Sequence, residues 1–286
     1  MTDPTVWEFD ALGTAWDVTL EREVPDALKS AITAELARID LQWSRFRGDS
    51  VVAEMAAGPG RFAVPMSDQP VIDLHRTLYE LTDGMVTPMV GQTLDDAGYD
   101  AGYSLTPATS VAAVPAWDDV LGGWQGELDV LEPALIDIGA TGKGFAVDRV
   151  TQLVRQFGFD EFLVNGSGDI RAGGRAHRIA LEHPVDPTKA IGTVVIEDNA
   201  ICGSASNRRA WADWHHIVNP RSGAPTREVL ATWAIAKDTM TADGLSTALF
   251  FSSPQKLLSH FEFDYVVVRS NGTVEHSHAR ELELFL

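Results

Sequence analysis

The sequence predicts an α+β fold in which antiparallel sheets are flanked by helices. Three observations favour this class. Helical and strand-like patterns both occur, they do not alternate in the regular order of a parallel sheet, and the C-terminal region carries a β-hairpin pattern. We therefore prefer it to a doubly wound α/β sheet. We expect a single domain over residues 10–286, preceded by a short lead-in at residues 1–9.

The first half of the chain contains one predicted strand and two predicted helices. Residues 15–20 (AWDVTL) alternate apolar and polar side chains, which is typical of a strand. Apolar residues recur at helical spacing in residues 25–41 and 68–82. Residues 91–130 are rich in Gly, Pro and Asp, so we expect irregular structure around short elements and a surface insertion, with the acidic run at 94–100 (LDDAGYD) as a solvated loop.

The second half begins with a helix that follows a glycine-rich loop. Its apolar face is predicted from the spacing of Val147, Val150, Val154 and Phe157, and Gly158 ends it. Residues 241–252 predict another helix, and residues 265–277 predict two strands around an Asn271-Gly272 turn. The remaining predicted elements are strands at 161–165 and 193–198 and a glycine-rich turn at 166–174.

Composition restricts the possible partners. The 286 residues carry a formal net charge of -19, which disfavours binding to nucleic acid or to an anionic membrane surface. The single cysteine, Cys202, excludes an intramolecular disulfide, and we expect it to be a small core residue. We find neither a signal peptide nor an apolar run long enough to span a membrane, so we expect a cytoplasmic protein, with an exported protein whose leader is absent from this sequence as the alternative.

The segment 136–148 (IDIGATGKGFAVD) resembles a phosphate-binding loop but differs from a P-loop. Only two residues separate Gly139 from Gly142, and Lys143 is followed by Gly144 rather than by Ser or Thr. The glycines would allow close approach of a ligand or a positive φ, and the helix after them offers N–H groups to an anion. An anion site and a simple tight turn are equally open on these residues alone.

Two further segments carry groups suited to catalysis. In TADGLSTAL, Asp243 and Thr247 lie four residues apart on one helix face. They could be a pair of hard oxygen ligands for Mg²⁺. Alternatively, Asp243 stabilises the helix N-terminus and Thr247 has no special role. In HHIVNPRSG, His215 and His216 are candidate acids or bases, or merely hydrogen-bonded side chains before a turn. Residues 165–169 (NGSGD) similarly predict either a backbone cradle or a turn after a strand.

The order of these motifs along the chain is more specific than any one of them. Between residues 12 and 252 they occur as LGTAWDV, WSRFRGDS, DGMVTPMVG, IDIGATGKGFAVD, FLVNGSGDI, HHIVNPRSGAP and TADGLSTAL. This arrangement resembles the ApbE family of FAD:protein FMN transferases. The resemblance implies an ApbE-like α+β domain that cleaves FAD in a Mg²⁺-dependent reaction, attaches FMN to a Ser or Thr of a target flavoprotein, and releases AMP. Family acceptor sites are similar to Asp-x-x-Ser/Thr-Gly-Ala-Thr.

The resemblance also implies roles for individual residues. The residues that match catalytic positions are His216, His215, Lys143 and Asp148. The residues that match metal ligands are Ala140, Asp243, Ser246 and Thr247, and their oxygen donors suit Mg²⁺ without excluding Mn²⁺. Those that match flavin or adenine contacts are Leu12, Trp16, Val86, Thr87, Pro88 and Ile217, with Lys143 beside the phosphates.

The chain departs from the family pattern at several positions. Thr87 stands where the family usually has Asp, Ala56 lies near a usual Asn, and Asn219 replaces a usual Asp. Residues 202–206 (CGSAS) replace a common Thr-Ser-Gly. These differences keep two alternatives open: a Mg²⁺-dependent FAD pyrophosphatase that produces FMN and AMP, and a non-catalytic FAD-binding protein.

Overall fold

The computed structural model describes residues 4–123, 126–278 and 281–285. The chain forms two compact units. The first contains Met1–Ala37, Lys143–Asn207 and Glu228–Leu286, and the second contains Arg38–Gly142 and Arg208–Arg227. The single domain over residues 10–286 stays a prediction. Part of the expected lead-in is regular structure, because a strand begins at Thr5.

The helices are α1 (Asp26–Trp43), α2 (Val51–Ala57), α3 (Gln69–Leu81), a 3-10 helix (Pro88–Val90), α4 (Gly91–Asp96), α5 (Trp117–Val120), α6 (Gly142–Gln156), α7 (Thr239–Ala248) and α8 (Pro254–Leu258). The strands are β1 (Thr5–Ala11), β2 (Thr14–Leu20), β3 (Gly60–Ala63), β4 (Glu127–Val130), β5 (Phe162–Gly166), β6 (Asp169–Gly173), β7 (His177–Glu182), β8 (Ala190–Ile196), β9 (Ala200–Ala205), β10 (Ala210–Trp211), β11 (Trp214–His215), β12 (Val218–Asn219), β13 (Ala224–Pro225), β14 (Val229–Ala236), β15 (Asp264–Arg269), β16 (Val274–His276) and β17 (Leu282–Leu284).

The first unit is built on an antiparallel sheet with the strand order β1-β2-β5-β6-β9-β14-β15-β16. A smaller antiparallel sheet has the order β17-β8-β7. Side chains from both sheets form one apolar cluster that includes Leu181, Ile196 and Val266, each fully buried. The register of the larger sheet places Asp169 opposite Cys202 and Ser204 opposite Thr232.

Helix α6 packs its predicted apolar face into the first unit. Val147, Val150 and Val154 are fully buried, whereas Phe157 lies beyond the end of the helix and is 38% exposed. Gly158 then adopts a φ of 78°, a left-handed conformation that glycine adopts without strain and that ends the helix. The prediction of this helix is therefore confirmed except for Phe157.

The second unit contains α2 to α5, the 3-10 helix and short antiparallel strand pairs, β3 with β4, β10 with β11, and β12 with β13. Helix α3 buries Val71, Ile72 and Leu78 and is followed by Asp83-Gly84, both with positive φ. The prediction that residues 94–100 form a solvated loop is wrong. Leu94 and Tyr99 are buried in a cluster with Trp211 and Val218 because the chain folds these apolar side chains inward while the adjacent carboxylates remain at the surface or bind backbone N–H groups.

The predicted α+β class with antiparallel sheets and flanking helices is confirmed by these elements. The predicted strand at 15–20, the helices near 25–41, 68–82 and 241–252, and the hairpin around Gly272 all have counterparts. The predicted turn at 166–174 is wrong beyond its first residues, since β6 begins at Asp169. None of the helices within the described residues combines the length and the apolar composition that a membrane crossing requires.

Candidate functional site

In the first unit, the start of α6 meets α7 at a glycine. The Gly144 N–H donates a hydrogen bond of 2.9 Å to Oδ2 of Asp243. A Cβ at position 144 would lie 2.4 Å from the Thr239 carbonyl oxygen and 2.7 Å from the Asp243 Cβ. The glycine is therefore required for close approach between the two helices, because any side chain would separate the N–H group from the carboxylate.

Lys143 is partly buried and forms a charged cluster with two buried carboxylates. Its Nζ lies 2.5 Å from Oδ2 of Asp169, and the Asp169 side chain is 1% exposed. Burial opposes the charged form of the lysine, but the carboxylates of Asp169 and Asp243 outweigh this effect, so the pKa of Lys143 is raised. Lys143 is therefore a fixed positive charge at the start of α6.

The expectation that Cys202 is a small core residue is confirmed, and the structure adds a context that the sequence did not show. The thiol is fully buried, lies opposite Asp169 in the sheet, and donates a hydrogen bond of 3.4 Å to the Thr239 carbonyl. Burial raises its pKa well above the usual range, and the carboxylates of Asp169 and Asp243 raise it further. Cys202 is thus an uncharged core residue beside the cluster of Lys143, Asp169 and Asp243.

Helix α7 presents the predicted oxygen ligands together with a network of hydroxyl groups. Asp243 is 5% exposed, and Thr247 follows one turn later on the same helix. Ser246 donates to the Asp243 carbonyl at 2.9 Å, and its own carbonyl accepts the Thr232 hydroxyl at 2.6 Å. The Ser204 hydroxyl lies 2.7 Å from Oγ of Ser246 and 3.5 Å from Oγ1 of Thr247.

These donors fit a hard divalent cation. Carboxylate and hydroxyl oxygens are the ligands that Mg²⁺ accepts, and this ion binds few protein groups because phosphates and water complete its shell. In the described part of the chain, no group of three or more His, Cys, Asp or Glu side chains is arranged to hold a metal. A site with the three or four protein ligands that Zn²⁺ requires is therefore not found among these residues. The Asp243 and Thr247 pair fits Mg²⁺, which needs fewer protein ligands.

Asp148 has a structural use that the sequence did not reveal. Its two carboxylate oxygens accept the N–H groups of Thr239 at 3.0 Å and Met240 at 2.8 Å. It therefore caps the first turn of α7, where Asp238 also accepts the Thr241 N–H at 2.8 Å. Burial raises the pKa of Asp148, although these backbone donors oppose the shift. Asp148 connects α6 to the helix that carries Asp243.

In the second unit, a buried arginine fixes the beginning of the predicted loop. Asp137 accepts hydrogen bonds of 2.6 Å from Nε of Arg45 and 2.6 Å from the Gly139 N–H, and Arg45 also donates to the Tyr99 carbonyl at 2.7 Å. Burial would disfavour the Asp137 carboxylate, but the Arg45 charge outweighs it and lowers the pKa of Asp137. Ala140 follows in this loop.

The end of the same loop is held by a buried histidine. The Thr141 side chain is fully buried, and its Oγ1 lies 3.1 Å from Nδ1 of His75, which is also 2.9 Å from the Val71 carbonyl. Burial lowers the pKa of His75, so the imidazole is neutral. Arg45 and His75 were not predicted, since the loop residues that they contact, Asp137 and Thr141, are distant from them in the sequence.

The two adjacent histidines of the second unit differ in their hydrogen bonds. Nε2 of His215 lies 2.7 Å from the Thr226 carbonyl and must carry the proton, while Nδ1 accepts the Ile217 N–H at 3.2 Å. His216 has a buried Nδ1 without a hydrogen-bond partner among the described residues. Burial, reinforced by Arg209, lowers the pKa of His216 to about 3. Both imidazoles are neutral, but only His216 has a ring nitrogen available.

The predicted flavin contacts of the first unit lie at the β1–β2 hairpin. Leu12 and Gly13 form its turn with φ values of 50° and 72°, the first of which is uncommon for a leucine. Trp16 is 2% exposed, and its indole N–H donates to the Ala11 carbonyl at 3.0 Å. Trp16 is therefore part of the core, with its polar atom already paired.

The predicted contacts of the second unit are all largely buried. Val86, Thr87, Pro88 and Ile217 are core or near-core residues, and Oγ1 of Thr87 accepts the Met89 N–H at 3.2 Å. Thr87 thus caps the 3-10 helix. The structure also shows where two residues that depart from the family pattern lie. Asn219 accepts the Arg221 N–H at 2.9 Å and stabilises the Pro-Arg-Ser-Gly turn, while Ala56 lies in α2.

Comparison with known proteins agrees with this picture. The sequence profile of the ApbE family matches residues 12–267. The FAD:protein FMN transferase of Klebsiella pneumoniae (strain 342) is 25% identical over 98% of this chain and 86% of its own length. That of Escherichia coli (strain K12) is 24% identical over 89% of this chain and 80% of its own length.

Solved structures show the same fold. The crystal structure of the ApbE protein from Thermotoga maritima matches with a TM-score of 0.84 and 25% identity, covering 96% of this chain and 97% of the other. The flavin transferase ApbE from Vibrio cholerae matches with a TM-score of 0.78 and 21% identity over 96% and 97% of the two chains. The chain therefore belongs to the ApbE family.

Proposed function

We propose that this chain is an FAD:protein FMN transferase that modifies a Ser or Thr hydroxyl of a target flavoprotein. The named activity of relatives that align with nearly the whole chain supports the assignment. The structural observation that carries it is Lys143, whose partly buried ammonium pairs with the Asp169 carboxylate and is also attracted by the Asp243 carboxylate. A protein of net charge -19 needs this lysine together with a divalent cation to hold the phosphates of FAD, because Lys143 and the two carboxylates alone sum to one negative charge.

The proposed reaction is a phosphoryl-type transfer. The acceptor oxygen attacks the phosphorus on the riboflavin side of the pyrophosphate, and the bond from this phosphorus to the bridging oxygen breaks. AMP leaves with the bridging oxygen, and the acceptor hydroxyl loses its proton to a base. Such reactions depend chiefly on positioning and on neutralising the phosphate charge.

We assign Asp243 and Thr247 to hold Mg²⁺, which when bound would neutralise phosphate charge and polarise the phosphorus–oxygen bonds. The assignment is supported by their hard oxygens and their spacing on α7. The carbonyl groups of Ala140 and Ser246 remain proposed ligands on the basis of the family resemblance. The Ser246 carbonyl already accepts the Thr232 hydroxyl, which leaves one lone pair for another partner.

We assign proton acceptance to His216 and supporting roles to His215 and Asp148. A base must be unprotonated and have a free lone pair, and His216 is neutral with an Nδ1 that has no hydrogen-bond partner among the described residues. An anionic substrate beside the imidazole would raise its pKa from about 3 toward the operating pH. Both nitrogens of His215 and both oxygens of Asp148 are engaged with the backbone.

The activity is tested by incubating the protein with FAD, Mg²⁺ and a peptide that carries an Asp-x-x-Ser/Thr-Gly-Ala-Thr site. Mass spectrometry of the peptide should show the added mass of FMN, AMP should appear in equal amount, and EDTA should abolish both. Repeating the assay with Asp243→Ala should give the same loss, whereas Asp160→Ala, an exposed aspartate after α6, should retain activity.

The same assay separates the alternatives. Production of free FMN and AMP with no labelled peptide, also when proteins of a cell extract are offered as acceptors, would indicate a pyrophosphatase. Stoichiometric FAD binding with no AMP would indicate a flavin-binding protein without catalysis. Labelling that persists in EDTA and in Asp243→Ala would contradict the metal assignment.

A further inference from the structure

We propose that Ser204 is a positioning residue of the metal site, whose hydroxyl accepts the proton of Thr247 and so directs the lone pairs of Thr247 toward the cation. This inference rests on the proposed function, which assigns Asp243 and Thr247 to Mg²⁺. Ser204 itself is not a ligand in this arrangement. It acts through the hydroxyl network on α7.

The direction of the hydrogen bonds supports this role. A hydroxyl group that ligates a cation must offer an oxygen lone pair, so its single proton has to be donated elsewhere. The Ser246 hydroxyl donates its proton to the Asp243 carbonyl at 2.9 Å. In the 2.7 Å contact between Ser204 and Ser246, the donor is therefore Ser204.

The oxygen of Ser204 then remains an acceptor. The Thr247 hydroxyl lies 3.5 Å away and is the other side-chain hydroxyl in contact with Ser204. Donation from Thr247 completes a one-directional chain from Thr247 through Ser204 and Ser246 to the Asp243 carbonyl. Because each bond polarises the next, the chain favours the orientation of Thr247 that a cation requires. The 3.5 Å contact is long, so we expect a moderate effect.

The sheet holds Ser204 in place. It lies on β9, directly opposite Thr232 on β14, and the fully buried Thr232 binds the Ser246 carbonyl at 2.6 Å. Two neighbouring strands therefore bind the second half of α7 through side-chain hydroxyls. The backbone position of Ser204 is therefore set by strand pairing.

The test is a Mn²⁺ titration of the full, FAD-free protein followed by electron paramagnetic resonance. Because loss of a residue that orients a metal ligand typically weakens binding 10- to 100-fold, we expect Ser204→Ala to weaken Mn²⁺ binding about tenfold. Ser204→Thr retains the hydroxyl at a partly buried position and should bind Mn²⁺ within about threefold of the wild type. The matched control is Ser206→Ala, which removes only a hydrogen bond to the Leu230 carbonyl.

A second readout is AMP release at saturating metal. Since Ser204 touches no reacting atom in this arrangement, Ser204→Ala should regain near-wild-type turnover when Mn²⁺ is raised. Equal Mn²⁺ affinity in Ser204→Ala and wild type, or equal weakening in the Thr variant, would overturn the inference while leaving the metal site intact. If wild type binds no Mn²⁺ and EDTA leaves transfer unaffected, the proposed metal site itself is wrong.

Discussion

Asp148 offers a direct test of how α7 is positioned. Its carboxylate accepts two N–H groups at 3.0 and 2.8 Å, and bonds to a charged acceptor contribute about 1.5–3 kcal/mol each. Because the side chain is partly accessible to water, we take the lower bound for each bond. Asp148→Ala should thus reduce the free energy of unfolding by about 3 kcal/mol, and Asp148→Asn, which retains one accepting oxygen, by about half of that.

Loss of the cap should also affect the metal site, because α7 carries both Asp243 and Thr247. We expect Mn²⁺ binding to weaken in parallel with the loss of stability, as measured by spin resonance and by urea unfolding. Asp160→Ala serves as the control, since Asp160 is exposed. A change in unfolding free energy below about 0.5 kcal/mol for Asp148→Ala would refute the capping argument. An Asp148→Asn protein with normal stability and metal binding but no turnover would instead identify Asp148 as a base.

Three further changes probe the surrounding structure. Gly144→Ala places a Cβ 2.4 Å from the Thr239 carbonyl and should lower stability in urea by about 2 kcal/mol or more, whereas Gly58→Ala, with no atom within 4 Å, should have little effect. The pKa of His216 is lowered from 6.5 to about 3 in the folded protein, so between these two pH values only the unfolded state binds a proton at this imidazole. Stability should fall by about 2 kcal/mol less in His216→Gln than in wild type between pH 7 and pH 5, measured by urea unfolding at each pH. Lys143→Met leaves two buried carboxylates without their cation, and calorimetry should show a lower melting temperature and loss of FAD binding.

Local patterns predicted the helices better than the strands. The glycines of segment 166–174 predict a turn, yet its positive φ values lie at Ser167 and Gly168 and again at Gly174, and the residues between them form β6. Gly173 lies in that strand, and a glycine is needed there because a Cβ would lie 2.4 Å from the Phe162 ring on β5. A glycine that makes room for a neighbouring strand cannot be distinguished from a turn glycine by local sequence.

The residue types of the site were predictable, but their roles depended on distant partners. Motif order identified Lys143 and Asp243, which lie 100 positions apart. Asp169 and Ser204 were missed because strand pairing, which no local period shows, brings them to α6 and α7. Asp148 was predicted as a catalytic group, and its use as a cap depends on N–H groups 91 and 92 residues away. The partners of polar site residues can thus be assigned only once the fold is known.

The charges of the first unit argue that the metal and FAD bind together. Lys143, Asp169 and Asp243 sum to one negative charge (+1 -1 -1), so the cluster alone would repel a pyrophosphate. A divalent cation changes this local sum to one positive charge. Linkage then requires that Mn²⁺ tighten FAD binding and that FAD tighten Mn²⁺ binding by the same factor. Calorimetric titrations in both orders should give equal factors of at least about tenfold, which corresponds to ~1.4 kcal/mol of coupling. Asp169→Asn, which removes one negative charge, should strengthen FAD binding both without and with metal, and unchanged or weaker FAD binding of this variant in the absence of metal would contradict the electrostatic account.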